Sequence, residues 1–218
     1  FAHGDVFMIG AYIGYILAPW FGSFLGEGYF SAIAVLLAAM LGCGLLGVII
    51  EYLAYRPLRF RPKLTVLITA IGVSLFIENT AQLQFVFGAQ YRSYPTLVPN
   101  AEVFSVMGVS VDRTAIVLLT TAVGLMYLLR LIVLKTKVGT AMRAVSMNIS
   151  AAALMGININ RIISFTFFVG SALAGAGATL YAISYPKIDP LMVILPGLKA
   201  FVAAVLGGEP LLPDLGLG

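Results

Sequence analysis

Long apolar runs separated by short polar breaks organise this chain. Residues 6–25 form the first run, broken by Pro19, and residues 29–50 form a cleaner one carrying Ala34, Ala38 and Gly42 at intervals of four. Small residues at that spacing let helices approach closely. Further runs cover 64–88, 114–134 and 162–185. Each reaches the roughly 20 residues that an α-helix needs to cross a hydrocarbon core. A sixth stretch, 191–207, contains Pro196, Gly197 and Lys199 and is too short and broken for a full span. The pattern predicts an all-α, polytopic integral membrane protein with five to six transmembrane or re-entrant helical segments.

The breaks set its orientation. Residues 51–63 hold Arg56, Arg59, Arg61 and Lys63 against Glu51, and residues 135–161 hold Lys135, Lys137, Arg143 and Arg161 with no acid. Between them, residues 89–113 balance Arg92 and Arg113 against Glu102 and Asp112. By the positive-inside rule the two basic connections are cytoplasmic and the middle one faces out. The middle one also reads YRSYPTLVP, which suits either a capped entrance or a plain connector.

Composition agrees with the pattern: 61% of residues are hydrophobic, 10% are charged, and the mean hydropathy is +1.02. A soluble domain carries about a quarter charged residues. The net charge of +4 is spread over short connections, not gathered on a face with interleaved aromatics, so nucleic acid is not an expected partner. The single cysteine, Cys43, lies within an apolar run and excludes an intrachain disulfide. The chain starts Phe-Ala-His without a basic stretch, and no signal peptide is read.

Polar residues inside apolar runs are the candidates for function. Ser74, Glu78 and Gln82 fall at i, i+4 and i+8, one stripe of a helix, with Asn79 beside it. A carboxylate there faces the bundle interior or water, or else sits near the outer interface where solvation is cheap. In VGSALAGAGATLYA, Gly170, Ala174 and Ala178 form one stripe and Ser171, Gly175 and Thr179 the next. Close helix packing is the favoured reading, and a pathway lined by Ser171 and Thr179 is the sharper alternative. His3 has no companion, and no HExxH, GxSxG or phosphate-loop motif occurs. No catalytic residue, cofactor or metal site is expected, and the chain has no ATPase motif of its own.

The basic stretch KVGTAMRAVSMNISAAALMGININR, residues 137–161, carries one more element. Asn148 or Ser150 caps a short helix through Ala151, Ala152, Ala153, Leu154 and Met155, and Gly156 stops it. Alanines keep the backbone near the surface while Leu154 and Met155 offer apolar knobs, a combination suited to another protein's groove. An interfacial helix resting on membrane lipid, aided by Lys137 and Arg143, is the competing reading.

FAHGDVFMIGAYIG, EYLAYRPLR, LITAIGVSLFIEN, GTAMRAVSMNISAAALMGININRI and GLKAFVAAVLGG together resemble the permease subunits of bacterial branched-chain amino acid ABC importers, a family that also includes urea and sugar permeases. The resemblance implies a single transmembrane permease domain over residues 1–218, a fragment lacking an upstream helix and the C-terminal helices. The family pattern continues past Gly207-Gly208, whereas residues 209–218 do not match it. It further implies a multi-pass protein of the bacterial inner membrane that forms the translocation pathway for branched-chain amino acids or similar small solutes. Its implied partners are ABC ATPase subunits, a second permease subunit and a periplasmic or extracellular substrate-binding protein. The ATPase-coupling surface would comprise Arg143, Ser150, Ala151, Ala152, Ala153, Leu154, Met155 and Gly156. There Ala151, Ala152 and Gly156 match the family's coupling motif, and Ser150 replaces its glutamate. The alternatives are a urea or short-amide permease, an ion-coupled carrier using Glu78, and a membrane scaffold that transports nothing.

Overall fold

The computed structural model describes residues 2–26, 28–58, 61–84, 86–88, 90–95, 102–106 and 109–189. Its helices are α1 (Ala2–Leu25), α2 (Tyr29–Ile50), α3 (Lys63–Gln82), α4 (Arg113–Lys135), α5 (Lys137–Met147), α6 (Ile149–Leu154) and α7 (Ile159–Ser184). Short strands β1 (Arg92–Ser93), β2 (Glu102–Val106), β3 (Val109–Asp112) and β4 (Lys187–Ile188) form two antiparallel pairs, β1 with β4 and β2 with β3. Five helical stretches are long and apolar enough to cross a bilayer: Gly4–Phe24, Tyr29–Leu58, Leu64–Gln82, Thr114–Lys135 and Ile159–Ser184. The chain is an all-α polytopic membrane protein. The sixth stretch, 191–207, lies outside the described residues.

Several boundaries differ from the apolar pattern, among them that of α3, which ends at Gln82, well short of the end of the run over 64–88. Pro19 does not interrupt α1, which runs through it; membrane helices tolerate proline because neighbouring groups satisfy the freed carbonyl. Nor does α2 stop where the arginines begin. A π turn, Glu51–Tyr55, and a 3-10 turn, Arg56–Leu58, prolong it, so Glu51 belongs to a helix and not to a loop.

α1, α2 and α7 form the core, and their contact is made of small residues. On α2 the deeply buried stripe is Ser31, Val35, Ala39, Cys43 and Gly47. The Ala34, Ala38 and Gly42 stripe lies beside it, only half buried, with Gly42 against Ile13 of α1. On α7 nearly every residue from Ser171 to Ala182 is buried. The three backbones meet at Gly10, Cys43 and Gly175. A Cβ at Gly10 would stand 2.9 Å from both the Cys43 sulfur and the Gly175 Cα, and one at Gly175 would stand 2.6 Å from the Ala39 carbonyl oxygen. The Cys43 thiol also donates to the Val6 carbonyl at 3.4 Å. Because lipid is as apolar as leucine, such contacts depend on dispersion and close fit, which explains why they are built from glycine and alanine.

The outer helices are looser. α3 packs mainly on α1 and on the Glu51–Tyr55 turn, and α4 on α5, α7 and β3. Both expose long apolar rows, including Leu67, Ile68, Leu75 and Phe76 on α3 and Leu119, Val123 and Met126 on α4.

Strand pairing ties two segments distant in sequence together in space. Arg92 pairs with Ile188 and Ser93 with Lys187, and the Tyr94 amide donates to the Pro186 carbonyl at 3.0 Å. The segment after α3 and the segment after α7 therefore share one end of the bundle. The two basic connections occupy the other, as charge asymmetry requires. Single cysteines at Ser93 and Ser146, in a Cys43→Ala background, should react with an impermeant maleimide from opposite sides of the membrane; labelling from one side alone would break this topology. At the core, Gly175→Val should lower the unfolding midpoint in detergent by an amount corresponding to the roughly 1–3 kcal/mol of an overpacked contact, whereas Gly72→Val, at a position with open space around it, should cost much less.

Candidate functional site

Three polar clusters stand out from this apolar frame. The first lies between α1 and α3. Asp5 is fully buried, and neither carboxylate oxygen has a hydrogen-bond partner. Across from it on α3 stand Ser74, outside hydrogen-bond geometry, and Glu78, within electrostatic reach. Ser74, Glu78 and Gln82 are all half buried, as a stripe turned partly toward α1 should be. Asn79 lies on the exposed side, where its amide donates to the Leu75 carbonyl at 2.7 Å.

The second cluster is at the other end of α2. Glu51 is fully buried and accepts a 2.7 Å hydrogen bond from the Ser164 hydroxyl of α7. Its position is no accident of the π turn: counting by fours from Ser31 through Val35, Ala39, Cys43 and Gly47 reaches Glu51. Beside this pair opens a cleft of about 510 Å³ lined by Val48, Arg56, Asn158, Arg161, Ser164 and Phe168, among others. The Arg56 guanidinium rests over the Tyr52 ring, 5.0 Å from its centre.

The third is the turn joining α4 to α7. Thr136 caps α5 by accepting from the Gly139 amide at 3.0 Å, and α5 folds back so tightly that a Cβ at Gly139 would strike the Ile132 and Val133 carbonyls. Asn148 caps α6, its side-chain oxygen accepting from the Ala151 amide at 2.9 Å; Ser150 lies within the first turn. At the far end Gly156 adopts φ +79°, with its amide bonded to the Ala153 carbonyl and the Ile157 amide to the Ala152 carbonyl. That pair of bonds is the Schellman stop, which requires a left-handed residue and so favours glycine.

The faces of α6 are unequal. Ala152 is only 4% exposed and packs into the chain, while Leu154 and Met155 are 89% and 82% exposed. Arg143, Ser150, Ala151, Ala153 and Gly156 are exposed as well. Six apolar or small residues of this turn thus face outward with Arg143 nearby, and Ala152 anchors them from below. In α7, Ser171 and Thr179 are both buried within the helix contact. Ser171 faces Gly47, and the Thr179 hydroxyl donates to the Gly175 carbonyl at 3.0 Å.

Comparison with known proteins shows the family in which these surfaces occur. Residues 1–213 match the family described as branched-chain amino acid transport system / permease component. The chain belongs to this family. It is 37% identical over 222 residues to the high-affinity branched-chain amino acid transport system permease protein BraD of Pseudomonas aeruginosa, covering all of this chain and 72% of that protein. It is 33% identical over 225 residues to the corresponding permease protein LivH of Escherichia coli K12, again over the whole chain and 71% of the relative. A probable LivH of Methanocaldococcus jannaschii is 26% identical over 216 residues, covering 95% of this chain and 64% of that one. No solved structure matches.

As a permease component the protein is a membrane-embedded transport subunit, and the match extends to residue 213, beyond the Gly207-Gly208 pair where the sequence resemblance stopped. Two of its buried carboxylates, Asp5 and Glu51, were not among the candidates drawn from the sequence. Asp5 precedes the residue at which the first apolar run was begun, although the helix starts at Ala2. Glu51 was assigned to a basic loop, although the four-residue count from Ser31 points to it. For the Glu51–Ser164 pair, Ser164→Ala should cost about 1–3 kcal/mol in unfolding experiments, the penalty for removing a hydrogen-bond partner from a buried polar group. Most of that loss should vanish in a Glu51→Gln background; an equal loss in both backgrounds would show that the bond contributes nothing.

Proposed function

We propose that this permease forms the translocation pathway of an ATP-driven importer for branched-chain amino acids. In this reading it pairs with a second permease subunit, receives solute from a substrate-binding protein and couples to ABC ATPase subunits. The observation that carries the reading is the match along the whole chain to the branched-chain amino acid permease BraD. A translocation role also suits polar groups held between α1 and α3: Ser74, Glu78 and Gln82 flank the path, and Asn79 supports the far side of the same helix. Ser171 and Thr179, buried where α7 meets α2, act on the path through packing.

The turn around α6 is the proposed seat for the ATPase. A six-residue helix capped at both ends by Asn148 and Gly156 presents Leu154 and Met155 on a short, stiff element. Exposed leucine and methionine at a capped tip fit an apolar groove, and methionine adapts to irregular walls. Ala152 supports this surface from within, so a charge there would disturb the permease itself before it reached a partner.

Reconstitution of the assembled transporter with its ATPases and binding protein should give ATP-dependent leucine uptake well above urea uptake. Uptake that persists without ATPases would sink the importer reading and favour an ion-coupled carrier; absence of any solute flux would favour a scaffold. In pull-downs, Leu154→Glu and Met155→Glu should weaken ATPase binding at least about tenfold, since a charge buried without a partner costs several kcal/mol, with membrane insertion intact. Neutralising Lys137 and Arg143 should matter less. The reverse ranking would place this turn on lipid.

A further inference from the structure

Among the described residues, Asp5 is a buried carboxylate that lacks a hydrogen-bond partner on either oxygen. The Val6 carbonyl next to it accepts from Cys43, which stands midway along the Tyr29–Leu58 span, and Ser74 stands midway along Leu64–Gln82. The carboxylate therefore lies level with the middle of the α2 and α3 stretches, although it stands in the first turn of its own helix, and an unpaired charge inside the bundle is costly. Both of its oxygens are buried without a donor. The surrounding helices bring no lysine or arginine beside it: α1 and α2 contain neither, α3 has only Lys63 at its start, and α7 only Arg161 in its first turn, so the nearby positive charges are those of the chain's first residues. A second carboxylate, Glu78, deepens the negative potential instead of relieving it.

We propose that Asp5, with Ser74 and Glu78 facing it, is the site that holds the ammonium group of an amino acid in transit. An ammonium carries three donors and no acceptor; Asp5, Ser74 and Glu78 present three acceptors from two helices. Val73 and Ile77 of α3 pack with Val6 beside this cluster and provide an aliphatic wall for a branched side chain. Glu78 stands one helical turn beyond Ser74 toward the outer end, about 6 Å along the axis, and Gln82 one turn further. Solute arriving from outside meets Gln82, then Glu78, then Asp5. The inference rests on the reading that this permease moves amino acids.

The test uses the assembled transporter in lipid nanodiscs without binding protein and two probes that divide leucine's chemistry. Isoamylamine keeps the side chain and the ammonium; 4-methylpentanoate keeps the side chain and a carboxylate. Millimolar isoamylamine should raise the thermal unfolding midpoint of the wild-type complex, and 4-methylpentanoate should not. Asp5→Asn should abolish the amine response and cut leucine uptake at least tenfold, while Asp5→Glu retains the response. Equal responses to both probes, or an isoamylamine response preserved in Asp5→Asn, would overturn the proposal. If Asp5→Asn does not assemble, the wild-type comparison of the two probes decides alone. Wild-type leucine uptake without an amine-selective response defeats this inference only, whereas no leucine uptake by the wild type defeats the importer reading itself.

Discussion

The approach of three backbones at Gly10, Cys43 and Gly175 is the contact on which the rest of the molecule is hung. In water a helix bundle is driven together by removing apolar side chains from solvent, but lipid gives no such gain, so helices must earn their contact through fit. Here fit means the absence of side chains. With a Cβ at Gly10 or Gly175 meeting backbone or sulfur at under 3 Å, neither helix could lie where it does if either residue were larger. Once α1, α2 and α7 are set, the remaining placements follow. α7 carries the α5–α6 turn, α1 carries α3, and the segments after α3 and α7 are brought to one end where β1 and β4 pair.

The same stripe that builds this contact also carries charge to its end. Running down α2 by fours, small and apolar residues give way at Glu51 to a carboxylate buried against Ser164. The Ser164 hydroxyl bonded to this carboxylate ties these ends of α2 and α7 together and helps fix the register between them. Register matters there because α7 begins immediately after the α6 turn. Any sliding of α2 along α7 would be felt by Arg161, Asn158 and the cleft they line with Arg56.

Much of this was legible in the order of apolar runs. Five runs correspond to the five helices among the described residues that are long and apolar enough to cross a membrane, because in lipid a spanning segment must satisfy its backbone internally and can only be a helix here. The capped turn at 148–156 was legible too, since asparagine and glycine act through local backbone geometry that needs no tertiary knowledge. What hydropathy obscured was where polar residues at the edge of a run continue its helix. Asp5 was lost by starting α1 at the first unbroken apolar residue, Glu51 by ending α2 at the last, and α5 by reading a basic stretch as connection. The direction in which Ala152 points was also hidden: three consecutive alanines carry no periodic signal, and only packing against the chain shows which of them faces in.

The unequal packing of the helices bears on how a pathway of this kind works. α1, α2 and α7 interlock through backbone-close contacts that tolerate no displacement, so they act as one body together with the α5–α6 turn fastened to α7. α3 is joined to that body mainly along α1 and the Glu51–Tyr55 turn, and the side chains at this seam include Asp5, Ser74 and Glu78. A seam of polar groups without mutual hydrogen bonds resists sliding far less than a glycine-packed crossing does. The contact between α1 and α3 is looser than the glycine-packed crossing and holds buried Asp5 opposite half-buried Glu78, which makes it, on the reading proposed above, the place where a solute would be gripped and released.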